Sequence, residues 1–210
     1  MNGGAGNDTM SGGAGNDTYI VGSIGDQTIE SAGGGTDTVK SSISWTLASY
    51  IERLELQGSG NLNGTGNALA NTIRGNSGDN TLKGGAGNDF LAGALGKDTL
   101  VGGAGADTFF FDTALGAGNV DTITDFDVPS DTIRLENSVF KAIVGTGILT
   151  AAQFVKNASG KAMDANDRII YETDTGRLIY DSNGSASGGA VEFAVLKPGL
   201  ALTAADFVIV

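Results

Sequence analysis

The chain has 210 residues and a net charge of −12, from 24 acids against 12 bases; it carries 35 glycines, two prolines, and neither cysteine nor histidine. Such a surface repels nucleic acid and anionic membrane and attracts cations. The missing residues exclude disulfides, histidine-based nucleophile pairs and histidine-ligated zinc, whereas oxygen-ligated hard cations stay open.

Residues 3–20 read GGAGNDTMS GGAGNDTYI, two copies of one nine-residue phrase. Met1 is followed at once by NGGAGND, without the basic and apolar regions of a signal peptide. A chain that starts inside a repeat predicts a piece of a larger polypeptide, its C-terminal part. Asp26 continues the spacing of Asp8 and Asp17, but around Asp26 and Asp37 the glycines are displaced. This first block takes in residues 1–44. Residues 45–72 blur the repeat and are richer in large apolar side chains; Trp45 and Tyr50 are expected to cover the core. Residues 73–111 restore the period as GNSGDNTLK GGAGNDFLA GALGKDTLV GGAGADTFF, with Ile73, Leu82, Leu91, Leu100 and Phe109 in step.

Residues 112–210 change texture, with less glycine and longer apolar runs. RIIYE-TDTG-RLIYD predicts a hairpin whose turn uses Gly176 at positive φ. LTAAQFVKN and LTAADF predict helical starts, each with a threonine placed for a capping box. Asp181, Asn183 and Glu192 have the first, third and twelfth positions of an EF-hand loop, but the glycine is misplaced and strands flank the segment, so an ordinary loop is expected. Asp121, Asp125 and Asp127 read either as a further cation site or as surface strand acids.

The nonapeptide has a simple physical reading. A triplet such as Thr9-Met10-Ser11 is a minimal strand with one side chain facing inward, and the glycine-rich stretch before it is a turn. Two repeats make one flattened coil, and coils stack at the inter-strand spacing of about 4.8 Å. One apolar side chain per repeat is a thin core, and stacked carboxylates repel one another. An ion midway between stacked turns sits about 2.4 Å from each along the stacking axis, which suits calcium–oxygen bonds; magnesium wants shorter bonds and retained waters.

The phrase G-G-x-G-x-D-x-U-x resembles the calcium-binding nonapeptide of the RTX (repeats-in-toxin) family, with full or near matches at residues 3–11, 12–20, 84–92, 93–101 and 102–110. The resemblance implies an all-β fold: a right-handed, calcium-bound parallel β-roll with a C-terminal β-rich capping and secretion region. It implies several calcium ions, held by carbonyls and aspartates of facing turns. One ion is expected between Gly85, Gly87 and Asp89 and Gly102, Ala104 and Asp107. A weaker one is expected between Asn76, Gly78 and Asn80 and Gly93, Leu95 and Asp98. In the first block Gly4, Gly6 and Asp8 face Asp26, and Gly13, Gly15 and Asp17 face Asp37.

The tail resembles the end of proteins exported by type I secretion, with DFVIV at residues 206–210 read as an acidic-then-apolar signal or simply as a last edge strand. The implied role is a secreted, non-catalytic module, extracellular or held at the cell surface, that folds on meeting calcium. Its partner during export is the type I apparatus, with no nucleic acid and no membrane insertion. Two alternatives stay open: an accessory module of a secreted protease, lipase or polysaccharide-modifying enzyme, and a calcium-dependent adhesin or carbohydrate-binding surface.

Overall fold

Each nonapeptide contributes one short strand because a single large side chain sits between small or polar neighbours, and glycines on both sides stop the strand from extending. In β1 (Thr9–Ser11) the pattern is exposed, buried, exposed, with Met10 inward. The computed structural model describes residues 1–210 and repeats this device along the chain.

One sheet stacks β2 (Thr18–Val21), β4 (Thr38–Ser41), β6 (Arg53–Leu56), β8 (Thr72–Arg74), β10 (Phe90–Ala92), β12 (Thr108–Phe111), β14 (Thr132–Leu135) and β20 (Phe207–Ile209) in parallel, and is closed by the antiparallel β15 (Gly147–Ile148). The facing sheet stacks β5 (Trp45–Thr46), β7 (Asn63–Thr65), β9 (Thr81–Ala86), β11 (Thr99–Ala104), β13 (Asp121–Ile123) and β19 (Ala190–Val195) in parallel. It continues through β18 (Arg177–Asp181), β17 (Ile169–Glu172) and β16 (Phe154–Asn157). β1 pairs separately with β3 (Gln27–Ile29). Because successive strands of the roll alternate between the sheets, the chain winds as a parallel β-solenoid.

Register places like on like. Tyr19, Val39, Leu54, Ile73, Leu91, Phe109, Ile133 and Phe207 are partners in turn through one sheet, and all are 0% exposed. Leu82, Leu100 and Ile123 form the matching row opposite. Each such side chain is worth roughly 1.5–3 kcal/mol on burial. Trp45 packs against this core from a half-buried position. Tyr50 does not cover it: the residue is 43% exposed, at a turn with φ +66°.

The C-terminal part seals the end of the roll. β17 and β18 form the antiparallel hairpin, with Gly176 at φ +81°; a side chain there would meet the Leu196 carbonyl. Phe193 of β19 packs edge-on against both Phe111 and Phe140, at 5.1 and 5.2 Å between ring centroids. The two expected helices shrink to single 3-10 turns, Ala151–Gln153 and Ala204–Asp206. Only Thr203 makes the capping box; the Thr150 hydroxyl goes to Gln153 Oε1 instead. In both cases the apolar residues that follow pair into β16 and β20 and end the turn at once. β20 is not an edge strand, since it lies between β14 and β15.

Candidate metal centres

The turns between strands line up along two edges of the roll, and one polar residue per turn stands just before the strand. On one edge Asp17 N–H donates to Asp37 Oδ1 at 2.8 Å and Asp37 N–H to Glu52 Oε2 at 2.8 Å. The same edge continues from Asn71 to Asp89 Oδ1 at 2.7 Å, from Asp89 to Asp107 Oδ1 at 2.9 Å, and from Asp107 to Asp131 Oδ1 at 2.9 Å. On the other edge Asp8 donates to Asp26, Asn80 to Asp98 and Asp98 to Asp121 in the same way, at 3.1, 2.7 and 3.0 Å. From the second layer on, one carboxylate oxygen of each of these aspartates thus ties its layer to the one before; Asp8 and Asp17, in the first layer, take part only through their N–H.

The second oxygen divides the aspartates into two kinds. Oδ2 of Asp8, Asp17, Asp37, Asp89, Asp98 and Asp107 is buried and has no hydrogen-bond partner. Oδ2 of Asp26 accepts the N–H groups of Gly22 and Ser23, and that of Asp131 accepts the Asp127 N–H. A buried carboxylate oxygen without a donor is costly unless a cation neutralises it. The six unpartnered oxygens fall in the glycine-rich turns; Asp26, expected as a ligand to the ion facing Asp8, is already saturated by its own tight turn.

Burial pushes Asp89 up to about 6, Asp98 to about 7 and Asp121 to about 8, and raises Asp107 and Asp131 as well. Asp26, held by backbone N–H groups from Ser23, Asp8 and Gly22, moves the other way. The ordinary charged state of the first group is therefore unfavourable without a counter-charge.

The first glycine of a repeat makes room for this arrangement. A Cβ added to Gly84 would lie 2.2 Å from Asp89 Oδ2 and 2.5 Å from the Gly102 carbonyl oxygen. The asparagine before the aspartate also has a part: Asn88 Oδ1 accepts the Ala106 N–H, and Asn16 Oδ1 the Thr36 N–H.

The turn before Asp37 departs from the sequence reading. Gly33 and Gly35 take positive φ, +78° and +152°, at the second and fourth positions, so the turn is regular with Ala32 in the first place. Its two extra residues come earlier, and they bring in Glu30. Carboxylate oxygens of Asp17, Glu30 and Asp37 lie within 4.8 Å of one another.

In the blurred middle, asparagine amides fill the space between turns. Asn67 Nδ2 donates to the Ala48 and Ile51 carbonyls at 2.7 and 2.8 Å. Asn76 Nδ2 donates to those of Gln57 and Gly60 at 3.2 and 3.0 Å. Asn71 and Asn80 use Oδ1 to accept the N–H of Asn67 and Asn76 within their own turns. Asn80, expected as a ligand, thus has its side-chain oxygen engaged, which leaves Asp98 as the carboxylate facing the turn of Asn76 and Gly78. The Ala104 carbonyl, also expected as a ligand, accepts the Gly87 N–H at 2.8 Å, so only its second lone pair is free.

The family profile described as RTX calcium-binding nonapeptide repeat (4 copies) matches residues 1–29, 65–100 and 91–114. The chain carries RTX calcium-binding repeats. Among solved structures it is similar to the solution structure of the AlgE6R3 subunit from the Azotobacter vinelandii mannuronan C5-epimerase, at 26% identity over 79% of this chain and 82% of that one, with a TM-score of 0.44. No curated protein matches.

The RTX turns of residues 3–20 and 84–107 hold five of the six unpartnered oxygens; the sixth, of Asp37, lies outside the matched residues. Glu52 and Asp131 belong to the same ladders and Glu30 lies beside one of them, and all three stand outside any nonapeptide match, so no motif pointed to them; Asn71, within the matched residues 65–100 and 18 residues before Asp89, follows the nine-residue step. Asp121, Asp125 and Asp127 do not converge: Asp121 accepts from Asp98, Asp125 from Gly102 and Gly103, and Asp127 from the Ser130 hydroxyl. In the loop after β18, Asp181 Oδ1 accepts the Asn183 N–H in a local turn.

Proposed function

We propose that this chain is a calcium-triggered folding module that supports type I secretion of a larger exported protein. The observation that carries the reading is the set of six buried, unpartnered carboxylate oxygens on stacked glycine-rich turns, five of them within the RTX-matched residues. Asp89 and Asp107, with backbone carbonyls of Gly85, Gly87, Gly102 and Ala104, would hold one ion. Asp98 with the Asn76, Gly78, Gly93 and Leu95 carbonyls would hold a weaker one. Asp8 with Gly4 and Gly6, and Asp17 and Asp37 with Gly13 and Gly15, would hold those of the first block. A bound ion supplies positive charge; the protein supplies ordered oxygens and, through Oδ1, the link to the next layer.

Where free calcium is scarce, buried like charges oppose folding and the chain stays extended enough to pass a narrow channel. Where calcium is abundant, each site at ten times its dissociation constant adds about 1.4 kcal/mol, and several sites together decide the fold. The C-terminal segment supports the same order of events. Phe207 and Ile209 are buried in an interior strand, so an export apparatus that reads this segment must do so before the roll closes. Circular dichroism during a calcium titration tests the reading: ordered β structure should grow with calcium, and equal structure in excess chelator would overturn it.

A further inference from the structure

We infer that Glu30 is itself a cation ligand, which makes the Asp17–Asp37 step a three-carboxylate site unlike any other in the roll. The inference rests on the calcium reading above and adds a residue that the nonapeptide pattern does not contain. Asp37 is 0% exposed, and Oδ2 of both Asp37 and Asp17 is buried with no partner. Glu30 spans the gap between the two turns. A Cβ built on Gly12 would lie 2.5 Å from both Glu30 Oε1 and Asp17 Oδ2, and one built on Gly34 would lie 2.8 Å from Glu30 Oε2. None of the four ion pairs of the structure involves these three acids. Their only neutralising contacts are donors: the Tyr19 hydroxyl to Glu30, the Ser31 N–H to Glu30, and the Asp17 N–H to Asp37.

The chain builds this site by lengthening one coil. Asp17 and Asp37 are 20 residues apart where Asp89 and Asp107 are 18 apart, and the excess precedes a regular glycine turn. A regular step brings two carboxylates toward an ion and completes the shell with carbonyls. Here a third carboxylate joins them, and hard oxygen sites bind more tightly as ligand charge rises. This site is therefore the first to fill, and it favours a trivalent lanthanide over calcium more strongly than the others do. Tyr19, buried and hydrogen-bonded to Glu30, stands beside the ion as a built-in reporter.

Terbium luminescence excited through tyrosine, together with calcium calorimetry, tests the assignment on the whole 210-residue chain. The parent protein should show one class of site at least tenfold tighter than the rest, with sensitised emission from the first equivalent of terbium. Glu30→Gln keeps the acceptor for the Tyr19 hydroxyl but loses the charge, and should weaken that class at least tenfold. Tyr19→Phe should remove most of the first-equivalent emission while calcium calorimetry still resolves a tightest class of site. Glu55→Gln, an exposed acid paired with Lys40 at 3.2 Å, should change neither. Parent-like affinity in Glu30→Gln, or undiminished first emission in Tyr19→Phe, would overturn the Glu30 assignment while calcium still folds the chain. A chain that binds no calcium and keeps its structure in chelator would instead bring down the calcium reading along with it.

Discussion

The Asp89 N–H donates to Asp107 Oδ1 at 2.9 Å, while Oδ2 of both residues is buried without a partner. One oxygen of the carboxylate joins two coils and the other is kept for a cation, so the two tasks can be separated by mutation. Asp107→Asn preserves the Oδ1 acceptor and removes the charge. It should weaken binding at this step about tenfold, equivalent to ~1.4 kcal/mol, and leave the ion-free chain at least as stable as the parent, because a buried unpaired carboxylate is gone. Calorimetry with calcium and urea unfolding in chelator check both halves; undiminished calcium binding contradicts the assignment.

The ion-free and calcium-loaded forms should respond to pH with opposite sign. In the ion-free fold Asp89, Asp98 and Asp121 hold their protons up to about 6, 7 and 8 because they are buried, whereas the unfolded chain releases them near ~4. Between those limits the unfolded state binds fewer protons, so stability falls as pH rises from about 4 toward about 8. Protein stripped on a chelating resin should melt higher at pH 5 than at pH 8. With calcium the order should reverse, because protons compete with the ion for the same oxygens. Thermal midpoints under the four conditions decide the matter.

Asparagine does without calcium what aspartate does with it. Asn67→Ala leaves the Ala48 and Ile51 carbonyls without the donors they now have at 2.7 and 2.8 Å. The expected loss is roughly 1–3 kcal/mol, and it should be the same in calcium and in chelator. Paired urea curves measure it; a loss seen only with calcium would mean that an ion occupies this step as well.

Roll and cap share one core, and Phe193 is where they meet. Its ring lies edge-on to Phe111 of the roll and to Phe140 of the cap, and its strand pairs with β13. Phe193→Ala should cost about 3–5 kcal/mol and lower a single unfolding transition. Near-ultraviolet signals from Tyr171 and Tyr180 should melt together with the calcium-dependent far-ultraviolet signal; separate midpoints would show two independent units.

The repeat, its inward-facing leucines and the positions of Asp89, Asp98 and Asp107 were legible because each nonapeptide presents the same residue at the same step. The rest of the ladder was hidden because position in a solenoid is set by stacking, not by count. Asp17 to Asp37 takes 20 residues, Asp37 to Glu52 takes 15 and Asp107 to Asp131 takes 24, yet each pair makes the same N–H to carboxylate bond. Glu52 and Asp131 share a place in space and no phrase in sequence, whereas Asn71 keeps the nine-residue step with asparagine in the aspartate's place. Glu30 was hidden for a further reason: its role comes from a side chain that crosses between turns. Tyr50 was misplaced because a large aromatic suggests a core, whereas its turn takes φ +66° and turns the ring outward.

The uneven coil lengths have a practical meaning. A layer that grows from 15 to 24 residues keeps the same bond to its neighbour, so the added residues bulge from the side and the next floor is undisturbed. The roll is thus a shelf with fixed brackets and interchangeable contents. Foreign loops spliced in after Asp112, in the stretch between β12 and β13 where the longest coil already carries its surplus, should ride on the scaffold without altering how it closes.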